Sequence, residues 1–169
     1  MAVTQQVLRL SSDILERARS EVSVLGDLIA FKLTAPADSL DLDWAPRGLE
    51  RLARSALTAT QHASILRALN GTTVVESAHA DGARQYDVYS DITFLPAVEV
   101  REVEQTLGGI ELAALVDAIP QERSDQLSLF GTSELPENPS RYYAEKFVAL
   151  REFVRGAAAR NLALVMWWD

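Results

Sequence analysis

"LALVMWW", residues 162–168, is the stretch on which the fold turns. Seven successive apolar residues are far short of the roughly twenty needed to cross a bilayer. They are also too apolar for a surface element. The run predicts a strand buried on both faces, in the centre of a sheet. Side chains alternate along a strand, so Trp167 and Trp168 point to opposite faces. One belongs in the core; the other serves the core, packing between lobes, or a contact surface.

Working back from this strand, Tyr143, Phe147, Leu150 and Val154 recur at helical spacing, flanked by Phe153 and Ala157. The helix they predict is capped by Ser140 and ended by Asn161. "FGTSELPENPS", residues 130–140, is rich in Gly, Pro and Asn and reads as a loop. Further back, "IELAALVDAI" reads as a helix up to Pro120. Another helix opens at Pro96, carries Val100, Val103 and Leu107 on one face, and is interrupted at Gly108-Gly109. "DITFL" and "TTVVES" are short β-branched or apolar runs that suit strands.

The N-terminal part follows the same logic. "TQQVLRL" suits a first strand, and "SSDILERARSEVSVLGDLIAF" reads as helix, with Ser11 or Ser12 as its cap and a break at Ser20 or Gly26. Pro46 fits only a first helical turn, so a helix starts near Asp43 or Trp44. Trp44 is expected in the core. "TQHASILRALNG" ends at Asn70-Gly71, a common left-handed stop. Together these elements predict a single α+β domain over residues 1–169. It has a small mixed sheet packed by several helices, a central C-terminal strand, and a division into lobes of about 1–72 and 73–169.

Composition narrows the class of function. The 169 residues are 48% hydrophobic and 24% charged, ordinary for a globular chain. There is no cysteine, so neither a disulfide nor a thiolate metal site is possible. The start, "MAVTQQVLRLSSD", lacks a basic stretch followed by an apolar core, and a cytoplasmic location is expected. The formal net charge is −8. Between Glu76 and Asp125 stand eleven acids and three bases, a surplus equal to that of the whole chain. Such a field repels nucleic acid and anionic lipid and speeds encounter with basic partners. It also keeps a protein soluble, with no further purpose required.

The acidic segment opens with "ESAHADGARQYDVYSD", residues 76–91, the candidate site. His79 and Asp81 are two apart, so in an extended chain they face the same way and can share a metal or a proton. Glu76, Asp87 or Asp91 could complete a ligand set. A Gly-containing loop is a poor scaffold for coordination, however, and no metal or other cofactor is expected. Tyr86 and Tyr89, interleaved with Asp87 and Asp91, have the composition of a binding surface. The plainer alternative sends Tyr86 and Val88 into the core. The other histidine, His62, lies in a polar stretch of helix and reads as a flank residue. No Gly-x-Ser-x-Gly elbow, Walker lysine or dinucleotide fingerprint is present.

The order of landmarks resembles the YfbM-like family of uncharacterised bacterial domains. The likeness lies in "SLDLDWAPRGLERL", similar to a Leu-Asp-Lys-x-Trp entry into a helix, and in "ALNGTTVV" and "ITFLPAVEVREVEQTL". The closing "YYAEKFVALREFVRGAAARNLALVMWW" completes it. It covers about residues 40–169. Leu42 stands where the family commonly has lysine, and Arg47 and Gly48 stand near a frequent histidine. The resemblance implies an α+β domain and transfers no catalytic residue. Small bacterial domains of this kind are associated with immunity proteins, which neutralise a toxin.

The expectation is therefore a non-enzymatic binding protein. It would engage a basic partner, such as a cognate toxin domain with a basic cleft, and neither nucleic acid nor membrane. Its binding residues would be Glu76, His79, Asp81, Tyr86, Asp87, Tyr89 and Asp91. The alternative is a small-ligand-binding protein or hydrolase-type enzyme with a pocket near His79.

Overall fold

The computed structural model describes residues 4–74, 88 and 90–169. Five strands make one sheet: β1 (Gln5–Leu10), β2 (Ser39–Asp41), β3 (Thr73–Val74), β4 (Thr93–Leu95) and β5 (Ala163–Trp168). Their order is β2-β1-β5-β4-β3, so the apolar C-terminal strand is central, as its composition requires. Every pairing is antiparallel, where a mixed sheet was expected. A single crossover helix returns the chain to the start of its strand and gives parallel neighbours. Here several helices separate β4 from β5, and the chain re-enters the sheet from the opposite end.

The helices are α1 (Ser12–Ser20), α2 (Val22–Ile29), α3 (Ala45–Ala56), α4 (Ala59–Asn70), α5 (Ala97–Gly108), α6 (Leu112–Asp117), α7 (Arg123–Phe130) and α8 (Pro139–Ala159). They cover both faces of the sheet. Leu8, Leu10, Val165 and Trp167 pack with Leu15, Leu25 and Leu28 of α1 and α2. Val7, Leu164 and Met166 face the larger cluster, with Leu49, Leu69, Val103, Phe147 and Leu150 from α3, α4, α5 and α8. The alternation of β5 thus divides the core in two, with each fully buried Leu contributing about 1.5–3 kcal/mol.

Several local expectations are refined. The first helical stretch breaks at Ser20–Glu21 and not at Gly26, which lies inside α2. The Ser20 hydroxyl donates to the carbonyls of Glu16 and Arg17, competing with continued helix. Ser11 is the cap of α1, its Oγ accepting from the Ile14 amide. The cap of α8 is Asn138, not Ser140: Pro139 fills the first helical position, so the cap must precede it. Asn138 Oδ1 accepts from the Arg141 amide at 3.0 Å. Helix α7 adds an element with too few apolar positions to make a stripe.

Two close approaches depend on glycine. A Cβ on Gly48 would lie 2.2 Å from the Tyr143 ring, so its absence lets α3 settle against α8. Gly71 ends α4 at φ +65°, and a Cβ there would lie 2.7 Å from the Phe94 carbonyl oxygen.

Candidate functional site

The corner between β2 and α3 carries the site. Asp43 adopts φ +56°, a left-handed conformation that Asp tolerates better than most residues. Its carbonyl accepts the Gln5 amide at 3.0 Å, and the Leu42 amide donates to the Gln5 carbonyl at 2.9 Å. Leu42 and Ala45 take the buried positions of this corner, each fully buried. Trp44 is thereby turned outward and is 37% exposed, against the expectation that it lies in the core.

Trp44 is nonetheless held in place. Its ring stacks on Tyr142 of α8 at 5.0 Å, and the Tyr142 hydroxyl donates to Asp43 Oδ2 at 3.0 Å. Burial, reinforced by the Asp43 carboxylate, holds the Tyr142 phenol protonated well above its ordinary range. The amphipathic indole is fixed from one side, and the remainder of it lines a cleft.

That cleft has a volume of about 620 Å³, within the usual range for small-molecule sites. Trp44, Arg47, Glu50, Asn70, Ser90 and Trp168 line it. Trp168 is at the end of β5, directly opposite Gln5 in the β1–β5 register. The Ser90 hydroxyl accepts the Trp168 amide at 3.0 Å and donates to the Asp91 carbonyl at 3.0 Å, so it is fully engaged. A recess of about 190 Å³ shares Leu69, Asn70, Ser90 and Trp168 with the cleft and adds Gln5 and Asp91.

Three arginines stand along α3, and two have structural work. Arg51 donates to the Leu129 carbonyl at 3.3 Å, near the end of α7. Arg54 pairs with Glu50 at 2.9 Å. Arg47 is exposed and makes no ion pair among the described residues; its guanidinium lies 6.0 Å from the Trp168 ring centroid. Gln5 is 1% exposed. Its Nε2 donates to the Leu69 carbonyl at 2.7 Å, which orients the amide, and its Oε1 has no partner. A buried acceptor without a partner is unusual in native proteins.

Of the residues expected in the binding site, Glu76, His79, Asp81, Tyr86, Asp87 and Tyr89 lie outside the described residues. Asp91 is exposed and lines the recess. His62 is half-buried on α4, away from the cleft lining, and its Nε2 has no hydrogen-bond partner. Among the described residues, no group of three or more His, Asp or Glu is placed to hold a metal ion. No helix there is long and apolar enough to cross a membrane.

The acidic segment divides in the folded chain. Arg67 of α4 reaches Glu99 at 2.8 Å and Glu102 at 3.0 Å, so these two acids share one base from outside the segment. Glu104 lies in a groove with Arg101 and Arg155 and is only partly exposed, but has no ion pair among the described residues. Glu111, Asp117, Glu122 and Asp125 differ. All are exposed, they fall in and beside α6 and α7, and none has an ion pair among the described residues. Among the described residues, the exposed acids of this segment that lack an ion pair are therefore Asp91 and the four at 111–125.

This arrangement of helices on an antiparallel sheet with a central C-terminal strand is the YfbM-like fold. A crystal structure of YfbM from Escherichia coli, a protein of unknown function, superposes with a TM-score of 0.64. The match covers 98% of this chain and 99% of that one at 12% identity, which establishes likeness of fold. No family model and no curated protein matches the chain.

Proposed function

We propose that the protein is a non-enzymatic binding protein that engages a basic protein partner through its acidic surface, in the manner of an immunity protein neutralising a cognate toxin domain. One observation supports this reading above the others. Glu111, Asp117, Glu122 and Asp125 are exposed within fifteen residues and unpaired among the described residues, whereas Glu99 and Glu102 are held by Arg67. Unpaired surface carboxylates are available to a cationic cleft, where they take the place of substrate phosphates and accelerate association. The segment 76–91, with Glu76, His79, Asp81, Tyr86, Asp87, Tyr89 and Asp91, supplies the second part of the proposed contact.

The test begins with co-purification from the native host and identification of the retained protein. That protein, expressed alone, arrests growth, and co-expression with the present chain restores it. Two variants then locate the contact: Glu111→Gln/Asp117→Asn/Glu122→Gln/Asp125→Asn, and Asp81→Ala/Asp87→Ala/Asp91→Ala. Each slows association and flattens its dependence on ionic strength. Association as fast as that of the unaltered protein at low salt, in both variants, would overturn the proposal.

A further inference from the structure

We propose that the cleft between Trp44 and Trp168, together with its recess, binds a small organic anion carrying a planar ring with N–H donors. The inference does not rest on the acidic surface, and Asp91 is the one residue the two share.

The polarity of the cavity selects the ligand. At its mouth Arg47 presents a guanidinium that no carboxylate engages among the described residues. Such a group binds carboxylate or phosphate, in bidentate fashion where the geometry allows. The nearest acid on the same helix that lines the cleft, Glu50, is occupied by Arg54 at 2.9 Å. The recess has the opposite character. Gln5 lines it, with Oε1 an acceptor without a partner on a residue only 1% exposed, and Asp91 contributes a carboxylate to the same lining. Leaving a buried acceptor unmatched costs free energy that a ligand N–H would recover.

The cleft wall also carries two indoles, Trp44 and Trp168. Trp44 is pre-ordered by Tyr142 and Asp43, so little side-chain entropy is lost when a ring packs on it. Trp168 is fixed through its backbone by Ser90. Planar rings pack well on such surfaces, with stacking of aromatic groups contributing beyond the area buried. An anion for Arg47, a flat ring for the indoles and N–H donors for the recess describe a mononucleotide bearing an exocyclic amine. They also describe an indole carboxylate.

Calorimetry and tryptophan fluorescence on the full chain test the proposal. The panel is AMP, CMP, GMP and indole-3-acetate, with adenosine and inorganic phosphate as partial ligands. At least one of the four full ligands binds in the micromolar range and quenches emission, and which arm binds identifies the source. Adenosine and phosphate bind about tenfold more weakly or not at all. Arg47→Gln, a change at an exposed position, weakens binding about tenfold or more, and Gln5→Met does the same through loss of the acceptor. Arg123→Gln, an exposed arginine away from the cleft, leaves affinity unchanged. Absence of binding across the four up to millimolar concentration overturns the proposal. So does unchanged affinity in a folded Arg47→Gln protein. The Glu111→Gln/Asp117→Asn/Glu122→Gln/Asp125→Asn variant, whose residues do not line the cleft or its recess, does not alter this affinity, so failure here and failure of the partner-binding reading are separate results.

Discussion

Trp167 and Trp168 are neighbours in the chain and opposites in the structure. Trp167 is 1% exposed, enclosed by α1 and α2 and packed against Phe31 at 5.7 Å between ring centroids. Trp168, one residue later, faces the α3–α4 side and lines an open cleft. The same contrast recurs on α8. Tyr143 is buried and stacked on Phe130 at 4.3 Å, while Tyr142 is half-buried and supports Trp44 at the cleft wall. In both pairs one aromatic builds the core and its neighbour is presented to solvent by the same rigid element. The lesson is that the wall of the cleft is built in part by the ends of core elements.

Substitutions can break that contrast. Trp167→Ala empties a fully enclosed position and is expected to cost about 3–5 kcal/mol, while Trp168→Ala costs less than about 1.5 kcal/mol. Chemical denaturation of the two variants, with equal m-values, checks the difference. Equal losses would mean that Trp168 is as much a core residue as Trp167. Gly48→Ala drives a methyl group toward the stacked Tyr143 ring, and about 1–3 kcal/mol of destabilisation follows. A neutral result there would show that α3 and α8 can separate without loss.

The tyrosine pair is sharpened by titration. Burial pushes the Tyr143 phenol from 10.0 up to about 12. A group raised in the folded state supports stability fully below its unfolded value and loses that support as pH rises through the folded one. Stability therefore falls between pH 10 and about 12, and Tyr143→Phe flattens part of that slope, with Tyr142 responsible for more at still higher pH. At the acid end the sign reverses. Arg160, which donates to Asp38 at 3.0 Å, and then Arg9 hold the Asp38 carboxyl below its ordinary value. That contribution is present above the unfolded value of 3.8 and is lost as pH falls through the lower folded value, so Asp38→Asn diminishes the acid limb of a pH–stability curve.

The smallest expected effect concerns the other contrast, between paired and unpaired acids. Arg67→Gln releases Glu99 and Glu102 from a partly exposed ion pair and costs less than about 1 kcal/mol. Its consequence is electrostatic, since two more carboxylates join the unpaired set. The association rate with a basic partner should rise at low salt, and a fall in that rate would separate α5 from the proposed contact.

Much of this architecture was legible in one dimension. An apolar run such as 162–168 has few places to go but the middle of a sheet, because burial on both faces is the only environment in which every side chain leaves water. Helical spacing through Tyr143, Phe147, Leu150 and Val154 and the stop at Asn70-Gly71 express local rules, and the structure keeps them. The antiparallel pairing of β4 with β5, the outward turn of Trp44 and the capture of Glu99 and Glu102 by Arg67 obey no local rule. Each joins residues tens of positions apart, and each depends on where the chain has already been packed. The cleft belongs to this second class. Gln5, Trp44, Arg47, Asn70 and Trp168 come from four separate elements and the β2–α3 corner. Its trace in the sequence was the pair Trp167-Trp168, whose alternation allows one of the two to serve a contact surface. Local propensity and hydrophobic period determined which segments became helix and strand. Which of their ends met, and which polar atom was left without a partner there, was decided by tertiary packing alone.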